Sequence, residues 1–233
     1  MRRAFSLVEL LVVIAVIALL LAILAPSAMS IIEHTRRSAC ANNHHLLSLA
    51  SASYSSDNLN FLPYVNSRAL DAGGYFKGPG WLYDWSQTAR NCTYKIEDLT
   101  RGVLWRYISS ISVYRCPLEQ PSYSGSNALT SYLMNRGFIF DDDLTNVHPW
   151  RTVDIIGFAG EDVIMYWEAA TSDWNDGCSY PQQDLTRRHK EGATVSCVGG
   201  HAVYITHRQY EMELTRKPGR LWCNPLRADG VFD

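Results

Sequence analysis

Glu9 is the residue of this chain whose surroundings most demand a chemical explanation. It stands in a run of 21 residues, Phe5 to Ala25, in which only it and Ser6 are polar. A carboxylate in an apolar helix costs about 2.5 kcal/mol or more at a bilayer centre, so it usually marks a function and a partner. The natural partner is a cation in the same low-dielectric surroundings, because two buried charges are tolerable only as a pair. His189, His201 and His207 form a second group, with Cys197 between them. A thiol and an imidazole there could act as a nucleophile pair. The stronger reading is a His- and Tyr-rich hairpin that hydrogen-bonds its own sheet. No nucleophile elbow, P-loop or HExxH sequence occurs, and the chain is not expected to be an enzyme.

The six cysteines, Cys40, Cys92, Cys116, Cys178, Cys197 and Cys223, include no C-x-x-C pair. A zinc ribbon or thioredoxin motif is therefore not expected. Cys92, Cys178 and Cys223 lie in loop-like, polar contexts and are the candidates for disulfides, with the connectivity open. Cys197 sits in a strand pattern and reads as a buried thiol. Asp141–Asp143 and Glu161–Asp162 lack the spacing of a calcium loop and read as solvated acidic segments. No metal and no cofactor is expected. Trp81, Tyr83 and Trp85 alternate in a loop flanked by Gly and Pro. They suit either an aromatic platform for a sugar or partner protein, or a loop folded onto its own rings.

Several elements must position these residues. At about 1.5 Å per residue, the run from Phe5 to Ala25 spans roughly the 30 Å of a bilayer core. Arg2 and Arg3 precede it, and the next basic residue is Arg36. That asymmetry keeps the extreme N-terminus in the cytoplasm and exports the bulk of the chain. A removable signal fits poorly, because a cut after Ala25 has Ile23 at −3 and Pro26 at +1. Helical spacing continues through Ile31, Ile32, Ala39, Leu46, Leu47, Leu49 and Ala50, with no Gly or Pro from Ser27 to Leu62. One long helix from Phe5 to about Ser56 is expected, bent near Pro26 and amphipathic in its second half. Residues 66–95 read as loop and Ile96–Ile108 as a short helix. The runs Ser112–Cys116, Ser131–Phe140, Asp162–Ala169, Ala193–Gly199 and His201–His207 read as strands, the last two joined through the turn dipeptide Gly199-Gly200. The fold class is α+β, a long amino-terminal helix packed on a small, mostly antiparallel sheet. The net charge is −2, with 21 Lys+Arg against 23 Asp+Glu, so no basic excess serves a nucleic acid. A mean hydropathy of −0.13 excludes a multi-spanning membrane protein.

The leader MRRA followed by FSLVE resembles the processing site of type IV prepilins and type II secretion pseudopilins. The resemblance implies that a prepilin peptidase cuts between Ala4 and Phe5 and that the new amino group of Phe5 is N-methylated. The family's carboxylate falls on Glu9 and its helix-kinking proline on Pro26. The family prefers Gly before the cut, where this chain has Ala4. A further resemblance is to a bacterial subfamily of pilin-like proteins. It rests on the segment from Cys40 to Pro63, on Tyr114-Arg115-Cys116-Pro117, on Ser131–Asn135, and on Arg188-His189 followed by Ala193–His201. In the subfamily's last signature a His is followed by nine residues and then Asp-Gly. Here nine residues separate His189 from Gly199-Gly200, and the Asp is missing.

These resemblances imply a leader at 1–4, a transmembrane and filament-core half-helix at 5–25, an amphipathic half-helix at 26–56, and a soluble extracytoplasmic domain at 57–233. They imply a non-enzymatic subunit of a type IV pilus-like or type II secretion filament, stored as a single-pass inner-membrane prepilin. Its filament would stand in the periplasm or at the cell surface. The expected partners are the prepilin peptidase, an inner-membrane assembly platform and other pilin or pseudopilin subunits. The alternative is a membrane-tethered binding module for a glycan or secreted cargo. The processing reading has a direct outcome: protein from native membranes begins at Phe5 by intact mass and N-terminal sequencing. A mature chain beginning at Met1, or after Ala25, contradicts it.

Overall fold

A computed structural model of the chain describes residues 6–66, 79–84, 94–119, 129–141, 147–168, 170, 177–182 and 185–232. The chain divides into two compact units, Met1–Ser38 and Ala39–Asp233. Helix α1, Leu7–Asp57, contributes to both and contains Pro26 in its interior. Ser27 Oγ and Thr35 Oγ1 donate back to the helix carbonyls of Leu24 and Ile31. That bonding keeps short polar side chains satisfied inside a helix. The helix stops where Leu59 and Asn60 take positive φ and the Asn60 N–H bonds the Ser55 carbonyl at 2.8 Å, a left-handed cap of the kind asparagine tolerates.

In the first unit the helix is apolar on every side from Leu10 to Ala25 and polar beyond it, with Glu33, His34, Arg36 and Arg37. Its best 18-residue window has a mean hydropathy of 3.3 and none of it is buried. α1 is long and apolar enough to cross a membrane. In the second unit the helix buries Cys40, His44, Leu47, Ser48, Ala50, Ser51 and Ser55. This stripe has helical spacing but is mostly small and polar. Of the apolar positions at helical spacing, Leu47 and Ala50 are buried and Leu46 packs against the core, whereas Ile31, Ile32 and Leu49 are exposed. The polar stripe works because each member has a partner across the contact. Ser48 Oγ donates to the Cys197 carbonyl at 3.1 Å, Ser51 Oγ meets the Tyr166 hydroxyl at 2.8 Å, and Ser55 Oγ meets Thr152 Oγ1 at 2.7 Å. Small side chains let the backbone approach closely, and satisfied hydroxyls remove the cost of burying them.

Against this stripe lies a five-stranded sheet of β1 (Tyr132–Asn135), β4 (Ile164–Glu168), β5 (Cys178–Ser179), β6 (Gly192–Cys197) and β7 (Ala202–Thr206), in the order β5-β1-β4-β6-β7. β1 and β5 run parallel and the other neighbours antiparallel. β2 (Ile139–Asp141) and β3 (Val147–Pro149) form a separate antiparallel pair. Helices α2 (Trp105–Ile108), α3 (Thr152–Ala159) and α4 (His207–Thr215) are the other described α-helices, and 3-10 turns cover Ile96–Arg101, Ile111–Tyr114 and Arg136–Phe138. The result is α+β, as expected.

Two expected strands are corrected. Ser112–Cys116 is not a strand: Ile111–Tyr114 forms a 3-10 helix. Ser131–Phe140 is not one strand, because Asn135 breaks it. Its Oδ1 accepts the Gly137 N–H at 2.9 Å while its Nδ2 donates to the Ile164 carbonyl at 3.0 Å. A side chain that bonds the local backbone competes with the ladder.

The β6–β7 hairpin turns at Gly199-Gly200, where Gly200 has a φ of +90°. At the other end of the hairpin the chains approach so closely that a Cβ on Gly192 would lie 1.9 Å from the Ile205 carbonyl oxygen. Gly192→Ala should therefore destabilise the domain by about 1–3 kcal/mol. Gly157→Ala, exposed in α3 with open space around it, should stabilise it by roughly 0.5–1 kcal/mol. Urea titration of the full chain in detergent, followed by tryptophan fluorescence, measures both. Equal midpoints for the two variants would contradict the packing described.

Candidate functional site

At the start of α1 the Glu9 carboxylate accepts the Ser6 N–H at 2.9 Å, and Ser6 Oγ accepts the Val8 N–H at 3.3 Å. Glu9 thus sits where the positive end of the helix dipole favours an anion. Ala4 and Phe5 lie outside the described residues. Leu7 to Ile32 present exposed apolar side chains, a surface that a lone chain in water does not sustain.

The second unit contains a cluster absent from any single stretch of sequence. Cys40 of α1, Cys116 after the 3-10 helix, Glu168 at the end of β4 and His189 just before β6 bring four donor atoms within 4.8 Å of one another. Cys40 Sγ lies 3.0 Å from Glu168 Oε1, His189 Nε2 lies 3.2 Å from the same oxygen, and Cys116 Sγ lies 3.5 Å from His189 Nε2. All four are buried. The surrounding elements fix each member. Asn43 Nδ2 on α1 donates to the Arg115 carbonyl at 2.8 Å, and the Cys116 N–H donates to Ser131 Oγ at 2.8 Å. The Tyr132 hydroxyl is 3.3 Å from Cys40 Sγ, the Thr194 N–H donates to Glu168 Oε1 at 3.0 Å, and the Tyr204 hydroxyl donates to the His189 carbonyl at 3.0 Å.

Electrostatics sort the protons. The Cys116 thiol is lowered to about 6 by its hydrogen bond from Cys40 and by His189, against burial. Burial pulls His189 down, but bonds to Cys116 and Glu168 and their charge outweigh it and raise the imidazole to about 9. Burial would raise Glu168, yet His189, His44 and Cys40 hold it below the usual carboxylate range. Cys40 is pushed up, first by burial. In its protonated form the cluster is a thiolate–imidazolium–carboxylate group with a second thiol beside it. Such a set has the members of a nucleophilic triad. Full burial leaves no face for a substrate. The donors are also suitable soft and borderline ligands for a transition metal.

Several expected sites come apart. Cys197 packs in the core formed by the outer part of the sheet, and its polar neighbour is the Arg220 guanidinium at 3.5 Å. His201 Nε2 pairs with Asp162 at 3.0 Å at the surface, and His207 opens α4. Thus only His189 of the three histidines reaches a thiol described here, and that thiol is Cys116. Cys223, expected in a disulfide, is a buried free thiol whose pKa burial pushes up to about 12. Its place beside Gly137 is core, not polar loop. Cys178 is buried in β5 opposite Met134, and Cys92 lies outside the described residues. Trp81 and Tyr83 are both fully buried. Trp81 donates from Nε1 to the Gly177 carbonyl at 2.7 Å and packs on Tyr166 with ring centroids 5.1 Å apart. They are core rings and offer no sugar platform; Trp85 lies outside the described residues. The side chains of Asp141–Asp143 are likewise outside them.

Of the four cluster members only His189 stands among the site residues expected from the sequence; Cys40, Cys116 and Glu168 do not. Glu168 is the one with a signal of its own. It looked like the end of an apolar strand, and the signal was a carboxylate in an otherwise apolar run, as at Glu9.

Residues 1–25 match the family model described as the prokaryotic N-terminal methylation motif. No curated protein and no solved structure shows a significant match to the chain. Unfolding the protein without reductant and alkylating it should label Cys197 and Cys223 completely, as read by peptide mass spectrometry. Protection of Cys223 in that state contradicts its assignment as a free thiol.

Proposed function

We propose that the chain is a pilin or pseudopilin: a subunit held in the inner membrane by α1 and drawn into a filament after its leader is removed. The observation that carries this reading is the methylation motif over residues 1–25, joined to an apolar helix that finds no burial within its own chain. A prepilin peptidase cuts between Ala4 and Phe5 and methylates Phe5. The ammonium so exposed pairs in the filament core with Glu9 of a neighbouring subunit, and the pair sets the axial register. An assembly platform in the inner membrane supplies the subunits. The leader arginines stay cytoplasmic and the unit from Ala39 onward lies outside. Whether the filament is a pilus or a secretion pseudopilus turns on its partners, which have the same helix chemistry in either case.

Glu9 has a second job that the test must separate, since its carboxylate also accepts the Ser6 N–H. Glu9→Gln keeps an acceptor for that bond and removes the charge. Glu9→Leu removes both. A buried ammonium left without its partner costs about 3–5 kcal/mol. Each variant should therefore reach wild-type membrane levels but yield at least a hundredfold less sheared filament, at about 1.4 kcal/mol per tenfold. Glu9→Asp, with charge kept and reach shortened, should fall between. Assembly of Glu9→Gln at the wild-type level would contradict the pairing.

A further inference from the structure

We propose that Cys40, Cys116, Glu168 and His189 bind one zinc ion in a closed structural site. The donor set is two sulfurs, an imidazole nitrogen and a carboxylate oxygen, the types zinc takes in four-coordinate sites. The spacing fits as well. Donors held at about 2.0–2.3 Å from one ion in a tetrahedron are roughly 3.3–3.8 Å from each other. The separations in the structure are 3.0, 3.2 and 3.5 Å, the first two slightly shorter than that range, with all four atoms inside 4.8 Å, so the donors need only spread a little to take the ion.

Glu168 provides a second, independent observation. Its side chain is fully buried, and Oε2 accepts no hydrogen bond from the described residues. A buried carboxylate oxygen without a donor is a costly group that a cation relieves. Outer contacts are already in place, as metal ligands require: the Thr194 N–H on Glu168, the Tyr132 hydroxyl on Cys40, and Ser131 on the Cys116 backbone.

The four ligands leave no open position and no path for a substrate, which makes the site structural. It clips α1 at Cys40 to the sheet at Glu168 and to the two segments carrying Cys116 and His189. On binding, the Cys40 thiol and the His189 imidazolium each give a proton to solvent, Cys116 enters as the thiolate it already is, and no electrons move. A Cys40–Cys116 disulfide is the competing use of the two sulfurs. It requires an oxidant and leaves the converging imidazole and carboxylate without a role, whereas both thiols are free here.

The test uses the full chain purified in detergent from zinc-replete cells and dialysed against a weak chelator. Elemental analysis should give one zinc per chain. Exchange for cobalt(II) should produce thiolate-to-cobalt charge transfer and the intense visible bands of a tetrahedral site. Cys116→Ser and His189→Ala should lose the metal, while Cys223→Ser, a buried thiol outside the cluster, keeps it. A strong chelator should lower the melting midpoint of the wild type by about 10 °C, on the scale of a ligand present at about a thousand times its Kd. Wild-type protein that carries no zinc and takes up no cobalt overturns the proposal, whatever the variants do. So does an intact mass short by two hydrogens with Cys40 linked to Cys116, or zinc that persists in both cluster variants.

Discussion

The buried carboxylate of Glu168 is the constraint around which the second unit is arranged. A charge removed from water is tolerable only where opposite charge and donors surround it. Here they come from every direction of the fold: Cys40 from α1, His189 from the segment entering β6, and Thr194 from the neighbouring strand. Move any of these elements and the carboxylate loses a partner. The cluster therefore specifies how helix and sheet meet in a way that apolar packing alone does not. The polar stripe below it acts in the same sense. Ser48 meets the Cys197 carbonyl, Ser51 the Tyr166 hydroxyl and Ser55 the Thr152 hydroxyl in this one register of α1, so a sliding helix would break all three contacts. With zinc at its centre, the cluster also resists unfolding by mass action, since the unfolded chain holds no preformed site.

α1 carries two kinds of surface along one helix. Its first part is apolar all round, which suits storage in lipid and later burial among identical helices. Neither environment rewards polar specificity except at a single charge, and Glu9 supplies it. Its second part uses small and polar residues to dock on a sheet. The chemistry of each part matches its surroundings: Glu168 sets how helix and sheet meet within the second unit, and in the proposed filament Glu9 would do the same between subunits.

The sequence was most readable where the chemistry is contiguous. The run from Phe5 to Ala25, Glu9 within it and Pro26 after it declare a helix and a processing motif because their meaning lies in spacing along the chain. The Gly199-Gly200 hairpin was readable for the same reason, as a turn between two alternating runs. The face of α1 is legible only in part: Leu47 and Ala50 follow the apolar spacing, while Cys40, His44 and the serines are buried by close approach and Leu49, though more hydrophobic, is exposed. Asn135 and the segment before Cys116 departed from strand geometry because local bonds outcompeted β propensity. The cluster itself is scattered from residue 40 to residue 189, and no spacing rule reaches across that range. The segments singled out for their resemblance to a pilin-like subfamily converge on it nonetheless: Cys40, Cys116, Ser131-Tyr132 and His189 all touch it. The site was present in the sequence as separate marks, and folding supplied the reason they belong together.

In the proposed site one ion joins α1 to the sheet through two sulfurs, one nitrogen and one carboxylate oxygen. X-ray absorption at the zinc edge on the full chain reads that shell directly. The expected shell is two sulfur neighbours at about 2.3 Å and two nitrogen or oxygen neighbours at about 2.0–2.1 Å, with the outer-shell scattering of one imidazole. A shell of nitrogen and oxygen alone would place the metal on the surface and contradict it.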